Sequence, residues 1–402
     1  MSSPSLDFPP GDEPLFSIGG RRIGRKGPVL IVAEAGTSHG GELSHARELI
    51  DAAAESGADC VKFQWVIADE IVHPLAGSIR LPGGPTPIWE RFRRLERPAS
   101  FYAKLKEYTE ERGLLFLCSP FGPHSARLLL QLGVEAVKIA SPELNHYPLL
   151  YEVTGYPLLL STGVSSLGDI EMCLDYLRSA DPVRPDESIG VPSATFRGRG
   201  APGLQAALLH CITAYPAPEE EYNLRVVPLL SRVFGTVCGV SDHSSDPLIV
   251  PLLSVSQGAR IIEKHVCLDR KTSGLDDPIA LEPKGFASMC AHIRDAESLP
   301  ARRIVDDCRR LFSAPRVDAV LGHGRKVLAP SEKNFYRTTN RSLVALHDLA
   351  PGDVLSDRNT ALLRCEQNRR PGLAPRYRDI VMGAAVRRPV AAGDGICWDT
   401  IL

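Results

Sequence analysis

Eight short stretches of this chain are apolar almost from end to end: "PVLIVAE", "DCVKFQ", "LLFLC", "EAVKIAS", "PLLLST", "AALLHCI", "TVCGVS" and "ARIIEKH". A strand with one wet face alternates apolar and polar residues, whereas a strand covered on both faces has no polar side to present. Between most of these runs lie helix-like segments such as "LSHARELIDAAAESG" and "HSARLLLQLG", each ending at a glycine, where a helix stops. Strands buried on both faces, each followed by a helix, form a parallel sheet, and eight such units in about 250 residues predict a (β/α)8 TIM barrel.

The chain has 402 residues, more than one domain usually holds. The sequence predicts a barrel over residues 1–300, an irregular basic linker over 301–337, and a small β-rich domain over 338–402 that opens near "RSLVALHDLAPGDVLSDRNTALLR". Two segments break the strand and helix rhythm. The stretch "LPGGPTPIWERFRRLERPAS" predicts a long loop with a helix over the barrel mouth, and "ADPVRPDESIGVPSATFRGRGAPG", polar and rich in Gly and Pro, predicts a mobile surface loop.

A formal net charge of −2 with 23% charged residues gives no long-range field to attract nucleic acid or an anionic membrane, so any anion must be held by local groups. The start, "MSSPSLDFPPGDEPLF", lacks a basic segment followed by an apolar one, and no run approaches bilayer length. The expectation is a cytoplasmic protein with neither nucleic-acid nor membrane partners. Its ten cysteines form no Cys-x-x-Cys pair, and several lie in apolar runs, which predicts reduced, buried thiols.

Chemistry in such barrels gathers at the carboxyl ends of the strands. There the sequence places Glu34, Lys62 with Gln64, Ser119, Lys138 with Ser141 and Glu143, Ser161, Tyr215, Ser241 with His243, and Glu263 with His265. Residues two apart on a strand share a face, so these pairs can point into one mouth. Two histidines on neighbouring strands suit a divalent metal, although each could instead be a core histidine bonded to a carbonyl. Lys62 and Lys138 among Ser119, Ser141, Ser161 and Ser241 suit a phosphate and carboxylate cradle; alternatively the lysines pair with Glu34 and Glu143 as a structural network. Glu143 could serve as acid or base or as one half of a salt bridge. Asp276, in "SGLDDP", could accept substrate hydroxyls or sit in a solvated turn.

With these residues assembled, the chain resembles the sialic acid synthase family. The resemblance rests on "IVAEAGTSHGG", "AAAESGADCVKFQ", "CSPF", "VKIASPELNHYPLL", "LLSTGVSSL", "LLHCITAYPAPEEEYNLR", "GVSDHS", "GARIIEKHVCLDR", "NRSLVALHDLAPGDVL" and "RPGLAP", in family order along nearly the whole chain. It implies condensation of phosphoenolpyruvate with an N-acetylated hexose, N-acetylmannosamine or a related acetamido sugar, to a nine-carbon 2-keto acid. It further implies that His243 and His265 hold manganese or magnesium, and that Lys62, Ser119, Lys138, Ser141, Ser161, Thr213 and Ser241 hold phosphoenolpyruvate. Glu34, Gln64, Tyr215 and Asp276 would face the sugar. Glu143, with Glu34 and the two histidines, would act at the reacting carbon, steadying positive charge on the enol carbon or taking a proton from the attacking water.

The end domain is similar to the antifreeze-like (SAF) domain of these enzymes. That implies a homodimer in which this domain lies over the partner's barrel and brings Arg341 to the sugar's acyl group. Thr213 stands where the family carries asparagine, Pro142 where it carries glycine, and Ser38-His39-Gly40-Gly41 where it carries Asn-His-Asn-Gly. The "SPE" and "AYPAP" forms look more like the pseudaminic or spore-coat branches, and legionaminic acid synthesis stays open beside them. A barrel enzyme acting on a phosphorylated aldose would need a second basic cluster, which the strand ends lack. A non-catalytic carbohydrate-binding relative would not need Glu143, His243 and His265.

Overall fold

The structure is a computed structural model and describes residues 15–24, 27–81, 84–180, 204–272, 274–366 and 368–402. The amino-terminal segment and the Gly/Pro-rich insertion singled out in the sequence lie almost wholly outside these residues.

In chain order the strands are β1 (Phe16–Ile18), β2 (Arg21–Ile23), β3 (Leu30–Gly36), β4 (Cys60–Trp65), β5 (Ser78–Leu81), β6 (Gly84–Pro87) and β7 (Leu115–Pro120). They continue as β8 (Val137–Ile139), β9 (Leu158–Ser161), β10 (Ala206–Cys211), β11 (Val237–Asp242), β12 (Ile261–His265), β13 (Ser342–Ala345) and β14 (Thr360–Leu363). The eight apolar runs are β3, β4 and β7 to β12, joined in one parallel sheet in the order β7-β4-β3-β12-β11-β10-β9-β8. The first of them, β3, pairs with the last, β12, and β7 lies beside β8 at the remaining seam, so the sheet curls into the expected barrel.

Two apolar layers hold it. Outward side chains such as Ile31, Val61, Phe63, Phe116, Leu160, Leu208 and Ile262 meet helices including Leu43–Glu55, which buries Ala46, Leu49, Ile50 and Ala53. Inward side chains at the amino ends, among them Leu30, Val32, Cys60, Leu117, Leu159, Leu209 and Ile261, enclose Phe16, Ile18 and Ile23. The antiparallel hairpin β1–β2 therefore plugs the barrel floor. Its alternating "FSIGGRRI" around a Gly-Gly pair is a hairpin signal that the eight longer runs overshadow. The interior is narrow: a Cβ on Gly239 would stand 2.3 Å from the Ile261 carbonyl oxygen and 2.8 Å from Leu209 Cδ2, so only glycine fits there. All ten cysteines are free and nine are buried, packing as small apolar groups.

The stretch expected as an irregular linker begins instead with two helices, Ala301–Phe312 and Ala314–Leu321. They bury Ile304, Cys308, Val317, Val320 and Leu321 in the outer layer of the barrel. The arginines that suggest a basic tether lie on the outer face, where Arg303 pairs with Asp307 at 2.9 Å. Helical spacing of few apolar residues is hidden there among many charges. The helix expected over the mouth is Ile88–Leu95, and its Ile88 and Leu95 pack with Val66, Ile71, Val72 and Phe121 at the carboxyl ends of the strands. The end domain is held by one antiparallel pair, β13–β14, and by a core of Leu343, Leu349, Leu355, Leu373, Val386, Val390 and Ile396.

Three buried histidines fix a pH limit. His39 Nδ1 accepts from Gly41 N at 2.9 Å, and His146 Nδ1 accepts from Leu149 N at 3.2 Å at the start of a helix. Both nitrogens need their lone pairs. His210 Nε2 donates to the Tyr222 carbonyl at 2.6 Å, while its Nδ1 is buried with no partner. Burial, the largest cause in each case, lowers the pKa of His39 to about 4 and those of His146 and His210 to about 3. The unfolded chain thus binds these protons first, so their stabilisation is complete above pH ~6.5 and falls as pH drops towards the folded values. Urea unfolding at pH 5 should show a loss of about 2 kcal/mol per histidine relative to pH 7.5. His210→Asn should flatten this slope; an unchanged slope contradicts the assignment.

Candidate active site

Along each barrel strand the inward face changes from apolar to polar as it rises: Val32 then Glu34, Cys60 then Lys62 and Gln64, Leu159 then Ser161, Ile261 then Glu263 and His265. Register sets the partners, with His265 opposite Glu34, Glu34 opposite Lys62, and Ser241 opposite Glu263. The outward Asp242 and Lys264 form a separate buried pair at 2.6 Å, backed by Ser244, which braces the two histidine-bearing strands from outside.

Just below the mouth two ammoniums and two carboxylates meet with almost no exposure. Lys62 Nζ lies 2.7 Å from Glu34 and 3.7 Å from Glu263, and Lys138 Nζ lies 3.6 Å from Glu263. Gln64 Nε2 donates to Glu34 at 2.8 Å, Ser241 Oγ to Glu263 at 2.9 Å, and Lys62 Nζ reaches Ser119 Oγ at 3.5 Å. The two lysines are not equally served. Burial would lower the Lys62 pKa, but Glu263 and Glu34 outweigh it and raise the value. For Lys138 burial wins and the pKa is lowered; its contacts, the one to Glu263 and a 3.5 Å contact to the Ile139 carbonyl, are long. Burial raises Glu34, whereas Lys138 and Lys62 overcome burial and lower Glu263. An anion arriving beside Lys138 would supply the charge that its protein neighbours supply only in part.

Hydroxyls stand near the same place. Ser161 Oγ and Thr213 Oγ1 are buried without a hydrogen-bond partner, and Gly163 N donates to Ser141 Oγ at 3.0 Å. Lys326 Nζ, also buried, donates to the Thr162 carbonyl at 2.8 Å. Unsatisfied buried hydroxyls are costly, so two of them at the same end of the barrel as an underserved ammonium describe a shelf suited to phosphate or carboxylate oxygens.

At the rim the His243 and His265 rings are 5.3 Å apart, and Tyr215 stacks on His243 at 4.3 Å. His243 Nδ1 donates to the Ile212 carbonyl at 2.9 Å, which leaves its Nε2 lone pair available, and Asp276 lies 3.8 Å from His265. Burial lowers the pKa of both histidines and raises that of Asp276 to about 6. Two neutral imidazoles, one fixed through its other nitrogen by a carbonyl, are donors of the kind that a divalent metal takes. Among the described residues no three His, Cys, Asp or Glu side chains are grouped so as to hold an ion.

Glu143 and Arg341, which the resemblance puts at the reacting carbon and at the sugar's acyl group, lie together. Both are fully or almost fully buried and pair with each other, Arg341 Nε on one Glu143 oxygen and Arg364 on the other. Arg341 also donates to the Phe121 carbonyl at 2.6 Å and to those of Glu70, Ile71 and Leu362. Each guanidinium nitrogen of Arg341 thus has at least one protein acceptor, the Glu143 carboxylate or a backbone carbonyl. Burial would raise the Glu143 carboxyl, but Arg341 and Arg364 prevail and hold it below the usual carboxylate range. A carboxylate ionised so firmly, with both oxygens engaged, is a weak proton acceptor. It docks the end domain, helped by Asn145, whose side chain exchanges hydrogen bonds of 3.0 and 3.1 Å with the Arg341 backbone.

Three participants escaped the sequence reading, and a fourth, Glu263, was placed there at its strand end without a role. Glu263 shares a face with His265 in "IIEKH", and the rule that found the histidine finds it as well. Arg364 ends the apolar run "TALL" as the barrel residues end theirs. Lys326 and Glu332 come from the segment expected to be a linker and carry no local signal.

A sequence profile described as the NeuB family matches residues 49–303, and one described as the SAF domain matches residues 340–402. The chain is 33% identical over 392 residues to the spore coat polysaccharide biosynthesis protein SpsE of Bacillus subtilis, a match covering 96% of this chain and 97% of that one. It is 30% identical to the N,N'-diacetyllegionaminic acid synthase of Legionella pneumophila, over 92% of this chain and 94% of that one. The crystal structure of the Bacillus subtilis SpsE superposes with a TM-score of 0.76 at 33% identity, covering 96% of this chain and 99% of that one.

Proposed function

The chain belongs to the NeuB family, and on that premise we propose that it is a phosphoenolpyruvate-dependent synthase that builds a nonulosonic acid. It joins phosphoenolpyruvate to the open-chain form of an acetamido hexose, N-acetylmannosamine or a relative from the legionaminic or pseudaminic branches, and releases phosphate. The observation that carries the reading is Lys138, a buried ammonium with only long contacts, on the strand that pairs with β9, whose Ser161 is, with Thr213, one of two buried hydroxyls without a partner.

In this reading Lys62 and Lys138 hold the carboxylate end of phosphoenolpyruvate and, with Ser119, Ser141, Ser161, Thr213 and Ser241, its phosphate. Glu34, Gln64, Tyr215 and Asp276 orient the sugar so that its aldehyde carbon meets the methylene carbon. His243 and His265 would hold manganese or magnesium, and such an ion would supply Lewis acidity to the aldehyde oxygen. A carbon–carbon bond forms, the aldehyde oxygen gains a proton, and water adds to the former enol carbon. The bond from that carbon to the bridging oxygen then breaks, phosphate leaves, and the carbon becomes a ketone as its new hydroxyl loses a proton. Glu143, Arg341 and Arg364 keep the end domain over the mouth, which excludes bulk water from this sequence. A cytoplasmic location belongs to the same reading; no helix among the described residues is long and apolar enough to cross a membrane.

Phosphoenolpyruvate labelled at its bridging oxygen tests the reading. With manganese and a panel of acetamido sugars, the label should appear in inorganic phosphate, and chelation should stop the reaction. Label kept in the keto acid, or no phosphate release with any sugar, contradicts it.

The domain boundary falls within residues 322–340, and the enzyme is a homodimer in which each end domain closes the partner's barrel. Exchange of an end domain remakes the same Glu143–Arg341 and Glu143–Arg364 contacts between chains, so it costs little contact energy. Arg341→Ala and His265→Ala should each be inactive alone, and a co-refolded mixture should recover activity, because one pairing joins an intact Arg341 to an intact barrel. No recovery in a verified mixed dimer means that each end domain serves its own chain.

A further inference from the structure

The segment between the barrel and the end domain carries a carboxylate, Glu332, with no exposure at all. Its Oε1 accepts from the backbone N–H of Val164 at 2.7 Å and of Thr213 at 2.8 Å, and its Oε2 from Ala329 N at 3.2 Å. Val164, just after β9, has φ of 41°, in the left-handed region that a β-branched residue enters only when its surroundings hold it there. The preceding residue, Gly163, is pressed against the shelf: a Cβ there would stand 2.2 Å from Thr213 Oγ1 and 2.9 Å from Ser141 Oγ. One carboxylate thus ties the turn after β9 to the turn after β10, and Ser141, Ser161 and Thr213 present their hydroxyls around that junction.

We infer that Glu332 is a positioning residue for phosphoenolpyruvate, an inference that rests on reading this shelf as its anion site. Glu332 touches no substrate, because both its oxygens are occupied by backbone N–H groups. It holds the Gly163–Val164 turn in a conformation that valine would otherwise leave. Without it Val164 relaxes to negative φ, the Gly163 N–H turns away from Ser141, and the Thr213 backbone is released. The hydroxyls then no longer converge. Because Glu332 belongs to the connecting segment, the seating of that segment and the affinity for phosphoenolpyruvate are coupled.

The test uses the full chain, with phosphoenolpyruvate binding followed by calorimetry and KM measured for both substrates. Glu332→Gln keeps an oxygen at the critical position and should leave phosphoenolpyruvate affinity within about threefold. Glu332→Ala should raise its Kd and KM at least about tenfold, with acceptor KM and kcat at saturating phosphoenolpyruvate nearly unchanged. Adding Val164→Gly to Glu332→Ala should regain much of the loss, since glycine reaches this φ without a Cβ penalty. If Glu332→Ala does not fold, Glu332→Asp, too short to reach both N–H groups, should show the same selective loss. Unchanged phosphoenolpyruvate affinity in a folded Glu332→Ala or Glu332→Asp chain overturns the inference, as does an equal rise in both KM values. Failure of the wild-type chain to bind phosphoenolpyruvate removes the reading of the shelf, and the inference falls with it, a result distinct from either of those.

Discussion

Two lysines and two glutamates share the upper interior of the barrel, shut away from water, and the site is organised around their unequal partnership. Lys62 is well matched by Glu34 and Glu263, whereas Lys138 receives only a distant share of Glu263. A buried ion pair contributes little net stability, because desolvation cancels most of its attraction. A network of this kind, arranged so that one cation is left wanting, is better understood as preparation for an anion than as cement. The apolar floor beneath it, plugged by Phe16, Ile18 and Ile23, keeps water from entering from below, and the end domain covers it from above.

That covering depends on Glu143. The residue that looks in the sequence like a catalytic acid or base is the point where the end domain fastens to the barrel, through Arg341 and Arg364. Removing Glu143 would leave the fully buried Arg341 without its carboxylate partner, a cost of about 3–5 kcal/mol. Glu332 adds a second fastening from the connecting segment, directly onto the turns that bear the shelf hydroxyls. Mouth and cover are thus joined at two places, at Glu143 just beyond β8 and at the turns after β9 and β10.

Much of this was legible in the sequence because burial on both faces leaves a plain mark. The eight apolar runs name the barrel strands, and the period of two along "GVSDHS" and "IIEKH" sends Ser241, His243, Glu263 and His265 inward while Asp242 and Lys264 turn to the helices. The facing histidines and the lysine network follow from that alternation. Less was legible where partners are distant in the chain. That Glu143 answers to Arg341 and Arg364 depends on how two domains pack, and no local pattern around Glu143 encodes it. The helices at Ala301–Phe312 and Ala314–Leu321 were obscured for another reason: their few core residues are outnumbered by paired surface charges, and charge density reads as a tether.

The central claim, that Lys138 is held for a substrate anion and not for the fold, can be tested by measuring phosphoenolpyruvate affinity and stability together on Lys138→Met. Methionine fills similar space without a charge to desolvate, and Glu263 keeps Lys62 and Ser241 as partners. The account predicts that phosphoenolpyruvate binding weakens about a hundredfold or more while the urea midpoint stays level or rises. Affinity close to wild type, or loss of affinity and stability in step, would show that Lys138 serves the fold and that the anion site lies elsewhere.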